Sequence, residues 1–138
     1  MVSLRNTIKV NASPEQVWAV LGDLASVDTW IRGITKVEVD GYQRICTFAD
    51  GSVQHEEISD YSKEKLSYRY SISGGPLPLK TNRGQFRVEA QNGVSLVIWD
   101  AEFEVMHDNQ ESQITGMLEN AYQQVGESLR QLIETKKE

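Results

Sequence analysis

Residues 79–106 read LKTNRGQFRVEAQNGVSLVIWDAEFEVM, and this stretch decides the fold. Apolar and polar residues alternate on both sides of Asn92-Gly93, a dipeptide that favours the positive backbone angles of a two-residue hairpin turn. Alternation with a period of two is typical of a strand that buries one face. We therefore predict two antiparallel strands, at residues 79–91 and 94–106, joined by a tight turn.

The same pattern continues towards the N-terminus. Asp40-Gly41 and Asp50-Gly51 are two further hairpin dipeptides. The segment 74–78, GGPLP, predicts a looser connection, either an ordinary hairpin loop or a gate over a binding site. These signals place four more strands before the first pair, at approximately residues 34–40, 43–49, 53–60 and 65–73.

Two short helices are expected between the first strand, which starts close to the N-terminus, and this group of six. Ser13 can cap a helix, Pro14 fits its first position, and Gln16 can close a capping box. A second short helix is predicted from Ala25 to Trp30, because glycine then interrupts the pattern.

A long amphipathic helix is predicted at residues 110–135, where apolar residues recur at three- and four-residue steps. Its stripe turns Leu118, Tyr122, Val125 and Leu129 towards the sheet, and Gly126 allows a neighbouring element to approach closely. This helix is the element long enough to cover a seven-stranded sheet. We predict an α+β fold, a curved antiparallel sheet wrapped on the C-terminal helix, as one domain spanning residues 1–138.

Composition limits the classes of partner. The net charge of −6 opposes binding to nucleic acid, and no apolar run is long enough for stable membrane insertion. The N-terminus lacks the apolar run of a secretory signal, and the single cysteine, Cys46, cannot form an internal disulfide. We therefore expect a cytoplasmic protein whose partner is a small molecule.

Motifs for metal or cofactor chemistry are not found. His55 and His107 lack metal-ligand spacing to a second histidine or cysteine. Gly74-Gly75 precedes Pro-Leu-Pro rather than a helix N-terminus, and no nucleophile-elbow pattern occurs. We expect neither a metal nor a cofactor.

The chain resembles the START-like, Bet v 1-like superfamily, in particular its bacterial polyketide cyclase/dehydrase and lipid transport (SRPBCC) branch. The resemblance implies a helix-grip fold with an internal cavity for lipids, hormones, polyketides or other apolar molecules. It does not imply one reaction, because the superfamily includes passive binders, carriers, receptors, cyclases and dehydratases. The motifs that carry it are ASPEQVW at 12–18, DTW at 28–30, GSVQHEE at 51–57, YRY at 68–70, PLP at 76–78 and WDAEF at 99–103.

Strand alternation and the helix stripe select the residues of a pocket. Tyr and Trp side chains on the inner face need partners for their polar atoms, which fits a ligand pocket better than a dry core. Parity also puts Lys80 on the inner face, at the mouth. The alternative is a packed core without a cavity. The expected ligand-binding residues are Trp30, Glu56, Ile58, Tyr68, Tyr70, Asn82, Phe86, Trp99, Phe103, Leu118 and Tyr122.

Glu56 is the candidate for chemistry. The resemblance implies a carboxylate at this position, on a strand that lines the cavity, and three roles stay open for it. It could be a hydrogen-bond partner in the pocket, a general acid or base, or a surface carboxylate at an edge.

The main hypothesis for the function of the protein is a carrier or sensor for an apolar small molecule. The alternatives are an aromatase, cyclase or dehydratase that uses Glu56, and a protein-interaction module whose rim responds to ligand. Ligand identity, turnover and oligomeric state stay open.

Overall fold

A computed structural model describes residues 1–137, apart from the side chain of Lys137, so the last residue of the expected domain 1–138 lies outside it. Within this part of the chain, the first strand is followed by two short helical segments, six further strands and a long helix, which confirms the predicted α+β order. The strands are β1 Val2–Val10, β2 Ile34–Asp40, β3 Gln43–Phe48, β4 Val53–Ser62, β5 Ser67–Gly74, β6 Leu79–Gln91 and β7 Val94–Val105. The helices are α1 Pro14–Leu21 and α2 Glu111–Lys137, with 3-10 helices at Leu24–Thr29 and Asp108–Gln110.

Local chemistry explains where the first elements begin and end. Ser13 and Gln16 form the predicted capping box, in which the backbone N–H of Gln16 donates to Ser13 Oγ at 3.2 Å and the backbone N–H of Ser13 donates to Gln16 Oε1 at 2.9 Å. The β6–β7 hairpin turns at Asn92 and Gly93, whose φ angles are 50° and 84°, as a two-residue turn requires. The second short helix is the 3-10 helix Leu24–Thr29, one residue earlier than predicted.

The strands of residues 1–137 form one antiparallel sheet with the order β1-β7-β6-β5-β4-β3-β2. Six strands follow one another as a meander, and β1 pairs with the last of them. The order leaves β1 and β2 at opposite edges, and the sheet curves around α2. This arrangement confirms the helix-grip fold.

Helix α2 rests mainly on β1, at one edge of the curved sheet. A Cβ atom at Gly126 would lie 2.6 Å from Ile8 Cγ1, so glycine permits the closest approach of helix and strand, as predicted. Nearby, Asn6 Nδ2 donates to the Tyr122 backbone oxygen at 2.9 Å. Leu129 is buried and Tyr122 half-buried, which confirms that this stripe faces the sheet. Because the helix packs on an edge strand, the middle of the sheet is left to curve away from it.

Two of the three register shifts in the sheet of residues 1–137 change the faces that simple alternation predicts; the third lies between Ile34 and Lys36 in β2. In β4 the register shifts between Ser59 and Ser62, where Asp60 has a φ of 50°, and Tyr61 instead of Asp60 turns towards the core. In β6 the register shifts between Leu79 and Thr81. Strand parity is therefore reliable only between these irregularities.

No helix within residues 1–137 is long and apolar enough to cross a membrane.

Candidate ligand cavity

A cavity of about 250 Å³ lies between the inner face of the sheet and helix α2. The loop after the 3-10 helix, strands β2 to β7, the segment 74–78 and the middle of α2 all contribute to its wall. Ala121 belongs to the wall and is also exposed, so the cavity reaches solvent beside α2. Its apolar lining residues are Trp30, Ile31, Ile34, Phe48, Ile72, Pro76, Leu77, Leu79, Phe86, Trp99, Leu118, Ala121 and Val125, with Tyr70 and Tyr122 as phenols.

A buried ion pair forms the polar part of this wall. Arg44 on β3 lies directly opposite Glu56 on β4 in the sheet register. Arg44 Nη2 donates to Glu56 Oε1 at 2.8 Å and Nε to Oε2 at 3.3 Å. Only 3% of the arginine side chain and 5% of the glutamate side chain are exposed. Both charges are therefore withdrawn from bulk water and neutralise each other at the cavity surface.

Three further contacts fix this pair in place. Cys46 Sγ and Gln54 Nε2 each donate to Glu56 Oε2 at 3.3 Å. Arg44 Nη1 donates to the Leu24 backbone oxygen at 3.0 Å, which connects the sheet to the 3-10 helix. Burial, followed by the nearby Glu56 carboxylate, raises the pKa of Cys46 to about 12. The thiol is accordingly a neutral hydrogen-bond donor.

Aromatic side chains form another part of the wall. Trp99 stacks on Phe86 with ring centroids 4.7 Å apart and contacts Tyr122 at 4.0 Å. Its indole Nε1 donates to the Tyr70 hydroxyl at 2.8 Å. Glycine at position 84 leaves room for the Tyr70 ring, because a Cβ there would lie only 2.5 Å from Tyr70 Cζ. Since Tyr70 accepts from the indole, its own proton can be donated to another group.

Two polar atoms of the wall are buried without a hydrogen-bond partner among the described residues. They are the indole Nε1 of Trp30, a donor, and Oδ1 of Asn82, an acceptor. Leaving such a group unpaired costs about 1–3 kcal/mol. Two residues of the cavity wall, Trp30 and Asn82, therefore carry one donor and one acceptor that no described side chain satisfies.

Eight of the expected ligand-binding residues lie in the cavity wall: Trp30, Glu56, Tyr70, Asn82, Phe86, Trp99, Leu118 and Tyr122. The other three, Ile58, Tyr68 and Phe103, are buried in the packed core and do not line it. They have the inward parity of their strands, but neighbouring side chains cover them. Tyr68, for example, lies among the rings of Trp18, Tyr61 and Phe86.

The prediction for Lys80 is wrong. Its side chain is exposed, and Leu79 lines the cavity instead, because the irregularity between Leu79 and Thr81 reverses the local alternation. The cation beside Glu56 is Arg44, which the sequence reasoning missed. The signal was available, since a hairpin centred on Asp50 places residue 44 opposite residue 56.

No group of three or more His, Cys, Asp or Glu side chains in residues 1–137 could hold a metal ion.

Comparison with known proteins identifies the family of the chain. The structure is similar to that of XoxI from Bacillus cereus, with a TM-score of 0.86 and 24% identity over 100% of this chain and 99% of that one. It is similar to a START superfamily protein from Mycobacterium smegmatis, with a TM-score of 0.81 and 14% identity over 96% and 97% of the two chains. Ara h 8.0201 matches with a TM-score of 0.69 and 14% identity over 93% and 97%. None of the curated proteins compared with the chain matches it. Residues 1–134 match the family model described as polyketide cyclase / dehydrase and lipid transport, and the chain belongs to that family.

Proposed function

We propose that this protein binds an apolar small molecule in the cavity between the sheet and helix α2 and acts as a carrier or sensor for it. The family and the fold are consistent with binding of hydrophobic ligands and with cyclase or dehydrase activity. In this proposal residues 1–138 work as one ligand-binding domain. The cytoplasm is the proposed location, since the buried thiol of Cys46 suits a reducing compartment.

The composition of the wall carries the proposal. Most of its side chains are aliphatic or aromatic, and a few polar groups converge on the same space, as in ligand sites of other proteins. The volume of about 250 Å³ lies just below the range of about 300–1,000 Å³ common for drug-sized ligands. A ligand of one or two rings, or a short acyl chain, fits this volume without rearrangement.

Blocking the cavity from α2 tests the proposal. Ala121→Trp adds a large ring at the exposed part of the wall, where it does not disturb the packed core. We expect this variant to bind an environment-sensitive apolar dye, such as 1-anilinonaphthalene-8-sulfonate or N-phenylnaphthylamine, at least about tenfold more weakly. Gln123→Trp is the matched control, because Gln123 is exposed on the same helix and does not line the cavity.

The comparison separates cavity binding from surface binding. Native mass spectrometry of delipidated wild-type protein mixed with apolar ligands gives an independent reading. Equal dye affinity of Ala121→Trp, Gln123→Trp and wild type would show that the dye does not occupy this cavity. Wild-type protein that binds no apolar molecule in either measurement would refute the proposed function.

An enzyme is the second candidate, because a carboxylate and two phenols line the same apolar cavity. In this reading Glu56 moves a proton as general acid or base, and the Tyr70 hydroxyl donates to a carbonyl oxygen of a polyketide-like substrate in an aromatase, cyclase or dehydratase reaction. Both oxygens of Glu56 already accept hydrogen bonds, which favours the binding role.

Glu56→Gln distinguishes the two functions. If Glu56 is the acid or base, this variant loses turnover of a model polyketide while its affinity for the neutral substrate is retained. Unchanged turnover would exclude that role for Glu56.

A further inference from the structure

The charge balance of the cavity wall is the starting point. Of the described residues that line the cavity, three are charged: Arg32, Arg44 and Glu56. Arg32 is exposed, so its charge is hydrated and screened by salt. The two buried charges belong to the same ion pair, with 3% and 5% of their side chains exposed. The enclosed part of the wall therefore has a net charge of zero.

The two charges of the pair are directed at each other and at fixed neighbours, and not at the cavity. Arg44 directs two N–H groups at Glu56 and a third at the Leu24 backbone oxygen. Glu56 accepts from Arg44 through both oxygens, and Cys46 and Gln54 add two more donors to Oε2. A ligand carboxylate placed here would be buried beside a cation that is already neutralised and next to another carboxylate. Burying a charge without a partner is far more costly than burying a neutral polar group.

We propose that the Arg44–Glu56 pair makes this cavity select a neutral ligand, one that carries a hydroxyl or carbonyl group on an apolar body, over a carboxylic acid of the same shape. This inference rests on the proposed binding function and names the class of ligand. Glu56 is then a specificity-determining residue, because its charge cancels the attraction of Arg44 for anions.

The unpaired polar atoms of the wall match such a ligand. Trp30 Nε1 offers a proton, and Asn82 Oδ1 offers a lone pair. A hydroxyl group can accept from the first or donate to the second, and a carbonyl oxygen can accept from Trp30 or from the Tyr70 hydroxyl. A carboxylate has no proton to give to Asn82 Oδ1 in the amide orientation of this structure, so this acceptor would stay unpaired.

A pair of rigid probes tests the selection. 2-Naphthol and 2-naphthoate share the same bicyclic ring and differ at neutral pH in the charge of one substituent. We expect wild-type protein to bind 2-naphthol at least about tenfold more tightly by isothermal titration calorimetry, since burying a charged group without a partner costs about 10- to 100-fold in affinity. Removing the Glu56 charge in Glu56→Gln leaves Arg44 uncompensated, and this variant should reverse or abolish the preference for 2-naphthol.

A double variant protects the test against misfolding. Arg44→Gln/Glu56→Gln removes both charges and keeps side chains that can hydrogen-bond to each other, and it should keep the wild-type preference for 2-naphthol. Arg32 is unchanged in all three proteins, so its attraction for anions cancels in the comparison. Circular dichroism identifies which variants are folded.

The outcomes separate this inference from the proposed function. A wild-type protein that binds 2-naphthoate as tightly as 2-naphthol, or more tightly, would overturn the inference and leave ligand binding in the cavity intact. Loss of the preference in the folded double variant, or its persistence in folded Glu56→Gln, would equally overturn it. If wild-type protein binds neither probe and no other apolar molecule, the proposed function fails and the inference fails with it.

Discussion

Replacing Arg44 by methionine should destabilise the protein far more than the same replacement at an exposed arginine. Arg44 Nη2 lies 2.8 Å from Glu56 Oε1 with 3% and 5% of the two side chains exposed. Arg83 Nη2 lies at the same distance, 2.8 Å, from Glu102 Oε2, but here 61% and 44% are exposed. The two pairs have the same contact distance and differ in burial, so comparing them isolates the effect of removing one partner from a buried pair.

The size of the effect follows from what each variant leaves behind. Arg44→Met leaves the Glu56 carboxylate buried without its cation and the Leu24 carbonyl without its donor, a loss of about 3–5 kcal/mol. Arg83→Met removes a surface pair worth about 0–1 kcal/mol. The free energy of unfolding of a native protein is about 5–15 kcal/mol, so Arg44→Met should remove a large part of it.

Guanidinium chloride unfolding followed by circular dichroism measures both losses, provided that the denaturant slopes agree. The double variant Arg44→Met/Glu56→Met should recover most of the stability, because an apolar pair leaves no charge buried. If Arg44→Met costs no more than Arg83→Met, the buried pair does not behave as an uncompensated charge when broken, and the reasoning is wrong. A double variant as unstable as the single one would show that shape, and not charge, accounts for the loss.

Three further predictions concern other parts of the structure. Gly126→Ala should lower the free energy of unfolding by about 1–3 kcal/mol in the same assay, because the added Cβ would lie 2.6 Å from Ile8 on β1. Gly116→Ala, with nothing within 4 Å of its Cβ, should raise it by about 0.5–1 kcal/mol. Equal effects of the two variants would show that α2 does not pack on β1 at Gly126. Cys46, with a pKa raised to about 12 by burial, should react with dithionitrobenzoate only after denaturation, and rapid reaction of the native protein would contradict its placement. Burial raises the pKa of Tyr68 and of Tyr122 to about 12, above the usual value of 10. Because the folded protein holds these protons more tightly than the unfolded chain, their contribution to the free energy of unfolding is fully present below about pH 10. It is lost as the pH rises through about 12. Urea midpoints should therefore fall over that window, and ionisation of all five tyrosines in protein that keeps its full stability would be evidence against it.

The order of elements could be predicted because each depends on neighbours in the chain. Asn92 and Gly93 form the tight turn that their backbone preferences favour. Ser13 and Gln16 satisfy each other's backbone groups within one turn of α1. Such signals act over a few residues, so a single sequence is sufficient to find the hairpins, the helix start and the strand faces between bulges.

The composition of the cavity wall was predictable in part. Alternation correctly turned Tyr70, Phe86 and Trp99 inward, and all three lie in the wall. It turned Tyr68 and Phe103 inward for the same reason, yet they are covered by other side chains. Parity gives the direction of a side chain from its own strand, whereas exposure to a cavity depends on which distant residues stand in front of it.

The remaining features come from the tertiary structure. Lys80 is outside because a bulge reverses the alternation near the start of β6, and no residue type in that stretch marks the bulge. Gly126 lets α2 approach β1 closely at one edge of the sheet, and the cavity lies between this helix and the curved inner face. The sequence by itself thus determined the elements and, between the bulges, their faces, which depend on local backbone chemistry. Only the folded chain decided the ion pair's burial, the volume left beside it and the residues that border that space, since these depend on how far the helix and the sheet stand apart.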